Sequence, residues 1–87
     1  MLPDRQIGVR VKVLRAVEGV TMRQLAEAME IKALETVRRR ERGEVPFSRV
    51  ELAAVANLFG VPVSTLTDPS DDLMKEIIGR SLLSGGG

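Results

Sequence analysis

Short segments with helical features, each ended by a glycine, are what most restricts the fold of this 87-residue chain. Gly19, Gly43 and Gly60 each follow such a segment. Glycine commonly ends a helix because it adopts the left-handed conformation without steric cost. No segment shows the alternation of apolar and polar residues that is typical of a strand. The sequence therefore predicts an all-α fold, a compact bundle of four to five short helices followed by a C-terminal amphipathic helix.

Capping residues sharpen the helix boundaries. Thr21 has Gln24 three residues later, and Ser48 is related to Glu51 in the same way. This spacing is that of a capping box, in which the two side chains satisfy backbone N–H groups at the start of a helix. The predicted helices cover about residues 4–18, 22–29, 33–42, 49–59, 64–66 and 71–83.

The apolar residues of the two later helices indicate two surfaces. Those expected to face the core from the fourth helix are Val50, Leu52, Val55, Ala56, Leu58 and Phe59. Those that form a stripe on the last helix are Leu73, Met74, Ile77, Ile78 and Leu82. The stripe fits packing against the preceding helices or against a second copy, and we expect a homodimer through it. The chain then divides into a helical domain at 1–69, a C-terminal helix at 70–83 and a flexible tail at 84–87.

Composition excludes several classes of function. The chain contains no cysteine and no histidine, so it lacks the usual metal ligands and the usual general base. It has no glycine-rich loop followed by lysine that would bind nucleotide phosphates, and no apolar run of about 20 residues. We therefore expect no enzymatic activity, no cofactor, no metal, no membrane association and no small-molecule ligand. The first residues lack a signal-peptide pattern, so we expect a cytoplasmic location.

Charge is distributed unevenly along the chain, although the net charge is only +1. Residues 1–49 contain eleven Lys or Arg against seven Asp or Glu, a balance of +4. Residues 50–87 contain two against five, a balance of −3. A basic N-terminal part favours a polyanion as partner, although small helical proteins also segregate charge without any such function.

An arginine-rich helix end is the most informative local feature. Four of the five residues in the range 38–42 are arginine. At about 100° per residue, Val37 and Glu41 lie on one side of the predicted third helix. The side turned away from them carries Glu35, Arg39 and Arg42, and Arg38 flanks these three residues. If Val37 faces the core, that side offers guanidinium groups to phosphates and guanine edges. A solvated helix end stabilised by the helix dipole is the alternative.

Two short helices joined by a tight turn, after a first helix and before a fourth, form the layout of a helix-turn-helix domain. The chain resembles the lambda-repressor/Cro type of this domain, the XRE family, over residues 7–66, about two-thirds of its length. The elements that carry the resemblance are Ile7-Gly8, Leu14-Arg15, Gly19-Val20-Thr21, Leu25-Ala26, Glu41-Arg42-Gly43, Leu52, Val55-Ala56 and Leu58-Phe59-Gly60-Val61. The chain departs from the family pattern at Met22, Glu30 and Arg40, where glutamine, glycine and an apolar residue are usual.

The resemblance implies a sequence-specific, double-stranded DNA-binding transcriptional regulator, a repressor in a bacterial or phage nucleoid context. A helix at about 33–42 would be the recognition helix in the major groove. The resemblance also implies a structural ion pair between Arg15 and Glu41. The base-reading residues expected on the recognition helix are Glu35, Arg38 and Arg39. The phosphate contacts are expected from Thr21, Arg23, Lys32 and Arg42.

Other interpretations stay open for single residues and for the whole chain. Glu35 also fits a helix-surface pair with a neighbouring arginine. Lys32 also fits a turn residue that only favours solubility, and Thr21 fits a structural cap. Arg40 has no settled role, although its charge would suit a phosphate. The alternative function is a protein-interaction module on a helix-turn-helix scaffold, antitoxin-like or anti-repressor, which would use the apolar stripe.

Overall fold

Helices account for the regular structure, as the spacing of apolar residues predicts. A computed structural model describes residues 1–70 and 73–85, with side chains described as far as residue 80. The helices are α1 at Asp4–Glu18, α2 at Met22–Ala28, α3 at Leu34–Glu41, α4 at Arg49–Phe59, α5 at Ser64–Thr67 and α6 at Leu73–Gly85. The described residues contain no strand, and the all-α fold class is confirmed.

Two capping boxes start α2 and α4 where the sequence predicts them. Thr21 Oγ1 accepts a hydrogen bond from the Gln24 N–H at 3.1 Å, and Gln24 Oε1 accepts one from the Thr21 N–H at 2.8 Å. Ser48 and Glu51 exchange the same two bonds at 3.1 and 2.8 Å. Each cap contributes about 1 kcal/mol, and the capped ends fix where α2 and α4 begin.

One apolar core lies around α1, which contacts α3, α4, α5 and α6, while α2 contacts α3 and α4. The buried apolar residues that form the core are Ile7, Val11, Leu14, Leu25, Ala26, Met29, Val37, Phe47, Leu52, Val55, Ala56, Leu66, Met74 and Ile77. The radius of gyration is 12.4 Å, near the value of about 12 Å expected for a folded chain of this length. Helix α1 is central in this core, and α3 packs directly against it.

Helix α4 buries a narrower face than the sequence predicts. Leu52, Val55 and Ala56 are buried, but Val50 is 79% exposed and Leu58 is 38% exposed. At about 100° per residue, position 50 lies on the opposite side of the helix from position 52, and position 58 lies about a third of a turn from the buried face. The prediction that Val50 and Leu58 face the core is wrong because these positions rotate away from it.

Helix α6 packs back on the chain. It contacts α1 and α5, and Met74 and Ile77 of the predicted stripe are buried in the core. Leu73 is partly buried and Ile78 is 37% exposed. The side chain of Leu82 and the predicted helix start at positions 71–72 lie outside the described residues. The helix continues to Gly85, two residues into the range predicted as a tail.

Arg10 ties α5 to α1. Its NH1 group donates to the backbone carbonyls of Thr65 and Asp68, each at 2.8 Å. The Leu2 N–H donates to the Thr67 carbonyl, also at 2.8 Å. Carbonyls at a helix end need donors from outside the helix, and Arg10 supplies one from 55 residues away.

Candidate nucleic-acid interface

The connection between α2 and α3 is a tight turn built on Glu30. The φ angle of Glu30 is 57°, in the left-handed region. The N–H groups of Glu30 and Ile31 return to the carbonyls of Glu27 at 3.1 Å and Ala26 at 2.9 Å. Glycine adopts this conformation without cost, whereas a residue with a Cβ is strained by about 1 kcal/mol. Glu30 therefore occupies the one turn position where glycine would be the unstrained choice.

The inner side of α3 is fixed by an apolar contact and an ion pair. Val37 is fully buried, and Glu41 is only 6% exposed. Arg15 donates from Nε to Glu41 Oε2 at 2.9 Å and from NH2 to Glu41 Oε1 at 3.3 Å. The ion pair implied by the family resemblance is thus formed. Its bidentate geometry restricts the rotation of α3 against α1.

Glycines allow α1 to approach the end of α3 closely. A Cβ on Gly8 would overlap the Glu41 carbonyl oxygen and would lie 2.8 Å from the Arg40 carbonyl oxygen. Gly43 has a φ angle of 76°, and a Cβ there would lie 2.5 Å from the Arg5 Cα. The backbones of α1 and α3 meet at these two positions without side chains between them. This contact brings the basic residues of α1 beside those of α3.

The outer side of α3 carries four charged side chains, each between 54% and 58% exposed: Glu35, Arg38, Arg39 and Arg42. One Glu35 oxygen accepts a hydrogen bond from Arg42 NH2 at 3.0 Å. Arg38 NH1 and Arg39 Nε lie farther from the carboxylate, at 3.7 and 3.9 Å. Exposed pairs at these longer distances contribute about 0–1 kcal/mol, so Arg38 and Arg39 can exchange these contacts for others. The three candidate base-reading residues therefore share one solvent-facing surface.

Arg40 does not present its charge to solvent. Its side chain is only 17% exposed, and its Nε lies 3.0 Å from Oε1 of Glu51 in α4. Its NH1 also donates to the Thr36 carbonyl at 3.3 Å. Burial alone would raise the pKa of the Glu51 carboxyl. The hydrogen bonds from Arg40 and Ser48 and the Arg40 charge together hold that pKa below its ordinary value. The suggestion that Arg40 meets a phosphate is wrong, because Arg40 is engaged in joining α3 to the capping box of α4.

The remaining phosphate candidates lie at the ends of α2. Thr21 is exposed, and its hydroxyl is occupied in the capping box. Arg23 and Lys32 are exposed and line one open groove of about 450 Å³ together with Glu27 and Glu30. The turn therefore brings Arg23 and Lys32 to the same surface, although two carboxylates accompany them. The fourth phosphate candidate, Arg42, lies at the C-terminal end of α3 and is already paired with Glu35.

Basic residues of α1 belong to the same side of the molecule, and sequence reasoning missed them. An open groove of about 580 Å³ lies between α1, the start of α2 and the end of α3. It is lined by Arg5, Val9, Lys12, Arg15, Met22, Arg38, Glu41, Arg42 and Glu44. Arg5 and Lys12 are seven residues apart, and Arg15 is three residues beyond Lys12. This spacing places Arg5 and Lys12 on the same helix face as Arg15, which is the signal that could have found these two residues.

Other kinds of site receive no support from the geometry. Among the described residues, no group of three or more His, Cys, Asp or Glu side chains is arranged to hold a metal ion. Within the same residues, none of the helices is both long and apolar enough to cross a membrane.

A scan of family models, a search of curated proteins and a search of solved structures each returned no significant match.

Proposed function

We propose that this protein is a sequence-specific, double-stranded DNA-binding transcriptional regulator of the helix-turn-helix type, with α3 as the recognition helix. One observation carries the proposal: the inner side of α3 is packed and paired against α1, while its outer side exposes arginines. The Arg15–Glu41 pair fixes the helix against α1, while Arg38 and Arg39 extend into solvent. A fixed helix with exposed guanidinium groups is what major-groove reading requires.

The residues divide by the chemistry they offer to a duplex. Arg38 and Arg39 can each donate two hydrogen bonds to O6 and N7 of guanine, and Glu35 can accept one from the cytosine amino group. Arg23 and Lys32 at the turn suit phosphates, which fix position without reading sequence. The groove beside α3 adds two cations on α1 to the phosphate contacts, Arg5 and Lys12. Cations on both sides of α3 would let the backbone of each DNA strand be held while α3 reads bases.

The proposal extends to repression, a cytoplasmic nucleoid context and a homodimer. A two-fold dimer binds half-sites about one helical turn apart and gains affinity because the second contact becomes intramolecular. Since Met74 and Ile77 fill the core, Ile78 and the exposed part of Leu73 are the stripe residues with described side chains that an α6 interface would use. Two of the four described stripe residues are therefore not available for dimerisation.

Selection of bound sites from a random duplex pool is the direct test. We expect an enriched sequence rich in G·C pairs at the positions under α3. An inverted repeat with half-sites about one turn apart would support the dimer, and a single half-site would contradict it. Failure to enrich any sequence, with no binding at low salt, would refute sequence-specific DNA binding.

A double variant tests the assigned surface. Arg38→Ala/Arg39→Ala should weaken binding of the protein to the selected site and relax the sequence preference of the protein. Each lost bidentate contact to guanine costs about 1–3 kcal/mol. The matched control is Lys75→Ala/Arg80→Ala, which removes two positive charges from exposed positions of α6. Equal losses from both variants would mean that net charge, not the α3 surface, causes binding. No loss from either variant would mean that another surface binds the duplex. Unchanged cellular function in Arg38→Ala/Arg39→Ala would favour the protein-interaction function.

A further inference from the structure

Arg42 is bracketed by two carboxylates at the end of α3. Its NH2 group donates to Glu35 Oε1 at 3.0 Å, and its Nε is paired with Glu44 Oε2. All three side chains are more than half exposed. One positive charge thus faces two negative charges, and the group as a whole carries −1.

Arg38 and Arg39 are placed differently. Among the described residues, each has an ion-pair distance only to Glu35, at 3.7 Å for Arg38 and 3.9 Å for Arg39. Both distances exceed those of a good hydrogen bond. These two guanidinium groups therefore remain available to DNA, whereas the guanidinium of Arg42 is held between two carboxylates in the free protein.

We propose that Glu35 and Glu44 form a carboxylate clamp on Arg42, which keeps Arg42 from the phosphates of non-cognate DNA. The two glutamates are then specificity-determining residues, although their neighbours supply the attraction. This inference rests on the proposed DNA-binding function and deepens it. It also changes the role of Arg42 from a permanent phosphate contact to a conditional one.

The clamp acts through competition for one guanidinium. A phosphate that approaches Arg42 also approaches two carboxylates, which repel it. At a cognate site, a cytosine amino group within reach of Glu35 gives that carboxylate a new donor. Glu35 then leaves Arg42, and Arg42 is free to contact a phosphate. At a site without that cytosine, Glu35 stays on Arg42 and the phosphate contact is not made.

The salt dependence of binding measures this difference. Each phosphate contact steepens the plot of log affinity against log salt by about 0.9 on duplex DNA. Between about 50 and 200 mM salt, one contact therefore changes the affinity by about 3.5-fold. If Arg42 is clamped, its removal should leave the slope on random-sequence DNA unchanged.

The experiment is a salt titration of fluorescence anisotropy on a random-sequence duplex with the wild type and four variants. Arg42→Gln should keep the wild-type slope. Glu35→Gln/Glu44→Gln should steepen the slope, and adding Arg42→Gln to that double variant should remove about 0.9 of it. Glu76→Lys is the control, because it changes the net charge by the same +2 on α6, which contacts α1 and α5. Circular dichroism checks that each variant keeps its helices.

Two results overturn the clamp while the proposed function stands. The first is a slope reduced by about 0.9 in the single variant Arg42→Gln, since Arg42 would then already contact a phosphate. The second is an unchanged slope in Glu35→Gln/Glu44→Gln. Absence of duplex binding by the wild type would instead remove the proposed function and the clamp's role with it.

Independently of DNA, NMR should show faster solvent exchange of the Arg42 Nε–H in Glu35→Gln/Glu44→Gln than in the wild type, and equal rates would contradict the clamp.

Discussion

Removing the Arg15 guanidinium should destabilise the fold far more than removing a surface arginine. The Glu41 side chain is 5% exposed and that of Arg15 is 20% exposed. In Arg15→Met, the carboxylate stays inside because the close contact at Gly8 holds its backbone. Breaking a buried pair costs about 3–5 kcal/mol, and since water reaches Arg15 we expect the lower value, about 3 kcal/mol. For a domain of this size, that lowers Tm by about 12 °C or more.

Urea unfolding followed by circular dichroism measures this loss as a free energy. The second variant, Arg15→Met/Glu41→Met, replaces both charges by apolar groups and should recover most of the stability. Arg80→Met is the control at an exposed position and should change the free energy of unfolding by no more than about 0.5 kcal/mol. A loss below about 1 kcal/mol in Arg15→Met, or a double variant no more stable than the single one, would refute the reasoning.

Three further substitutions test the geometry around α3. Gly8→Ala should destabilise by at least about 1–3 kcal/mol, because its Cβ would overlap the Glu41 carbonyl oxygen. Gly79→Ala, with no atom within 4 Å of the added Cβ, should stabilise by about 0.5–1 kcal/mol, and thermal unfolding compares the two. Glu30→Gly should stabilise by about 1 kcal/mol in urea unfolding by relieving the left-handed strain. The lowered pKa of Glu51 means that its pairs stabilise the fold above its ordinary pKa of 4.5 and lose this effect as pH falls below it. In acid unfolding curves, Glu51→Gln should therefore reduce the loss of stability below about pH 4.5.

Local signals predicted the features that depend on neighbouring residues. The capping boxes at Thr21 and Ser48 involve partners three residues away, and the inward orientation of Val37 and Glu41 follows from helical geometry alone. The ion pair to Arg15 needed the family resemblance, since its partner is 26 residues away. Such features follow from sequence because backbone geometry or a known pattern fixes both partners.

Features set by how helices rotate and approach each other could not be predicted in this way. Arg40 binds Glu51 of the next helix, and Arg10 binds carbonyls 55 and 58 residues away. Val50 and Leu52 lie on opposite sides of α4, and packing against the other helices decides that Leu52 is the one that faces the core. Periodicity gives the relative positions of residues on a helix, but not which side the rest of the fold covers. The partners of long polar side chains are also hard to predict from sequence, because several partners lie within their reach.

The arginine run shows why charge in a sequence differs from charge at a surface. Arg40 is withdrawn into a pair with Glu51, and Arg42 is shared between two carboxylates. The exposed end of α3 carries three arginines and two glutamates, Glu35 and Glu44, so its balance is +1 rather than the +4 of four free arginines. Attraction to any polyanion depends on this balance, whereas the proposed base reading would depend on Arg38 and Arg39, which lie at the longer distances from Glu35. If the proposed DNA binding holds, a surface with little excess charge and two such donors would favour selectivity among duplexes over affinity for all of them.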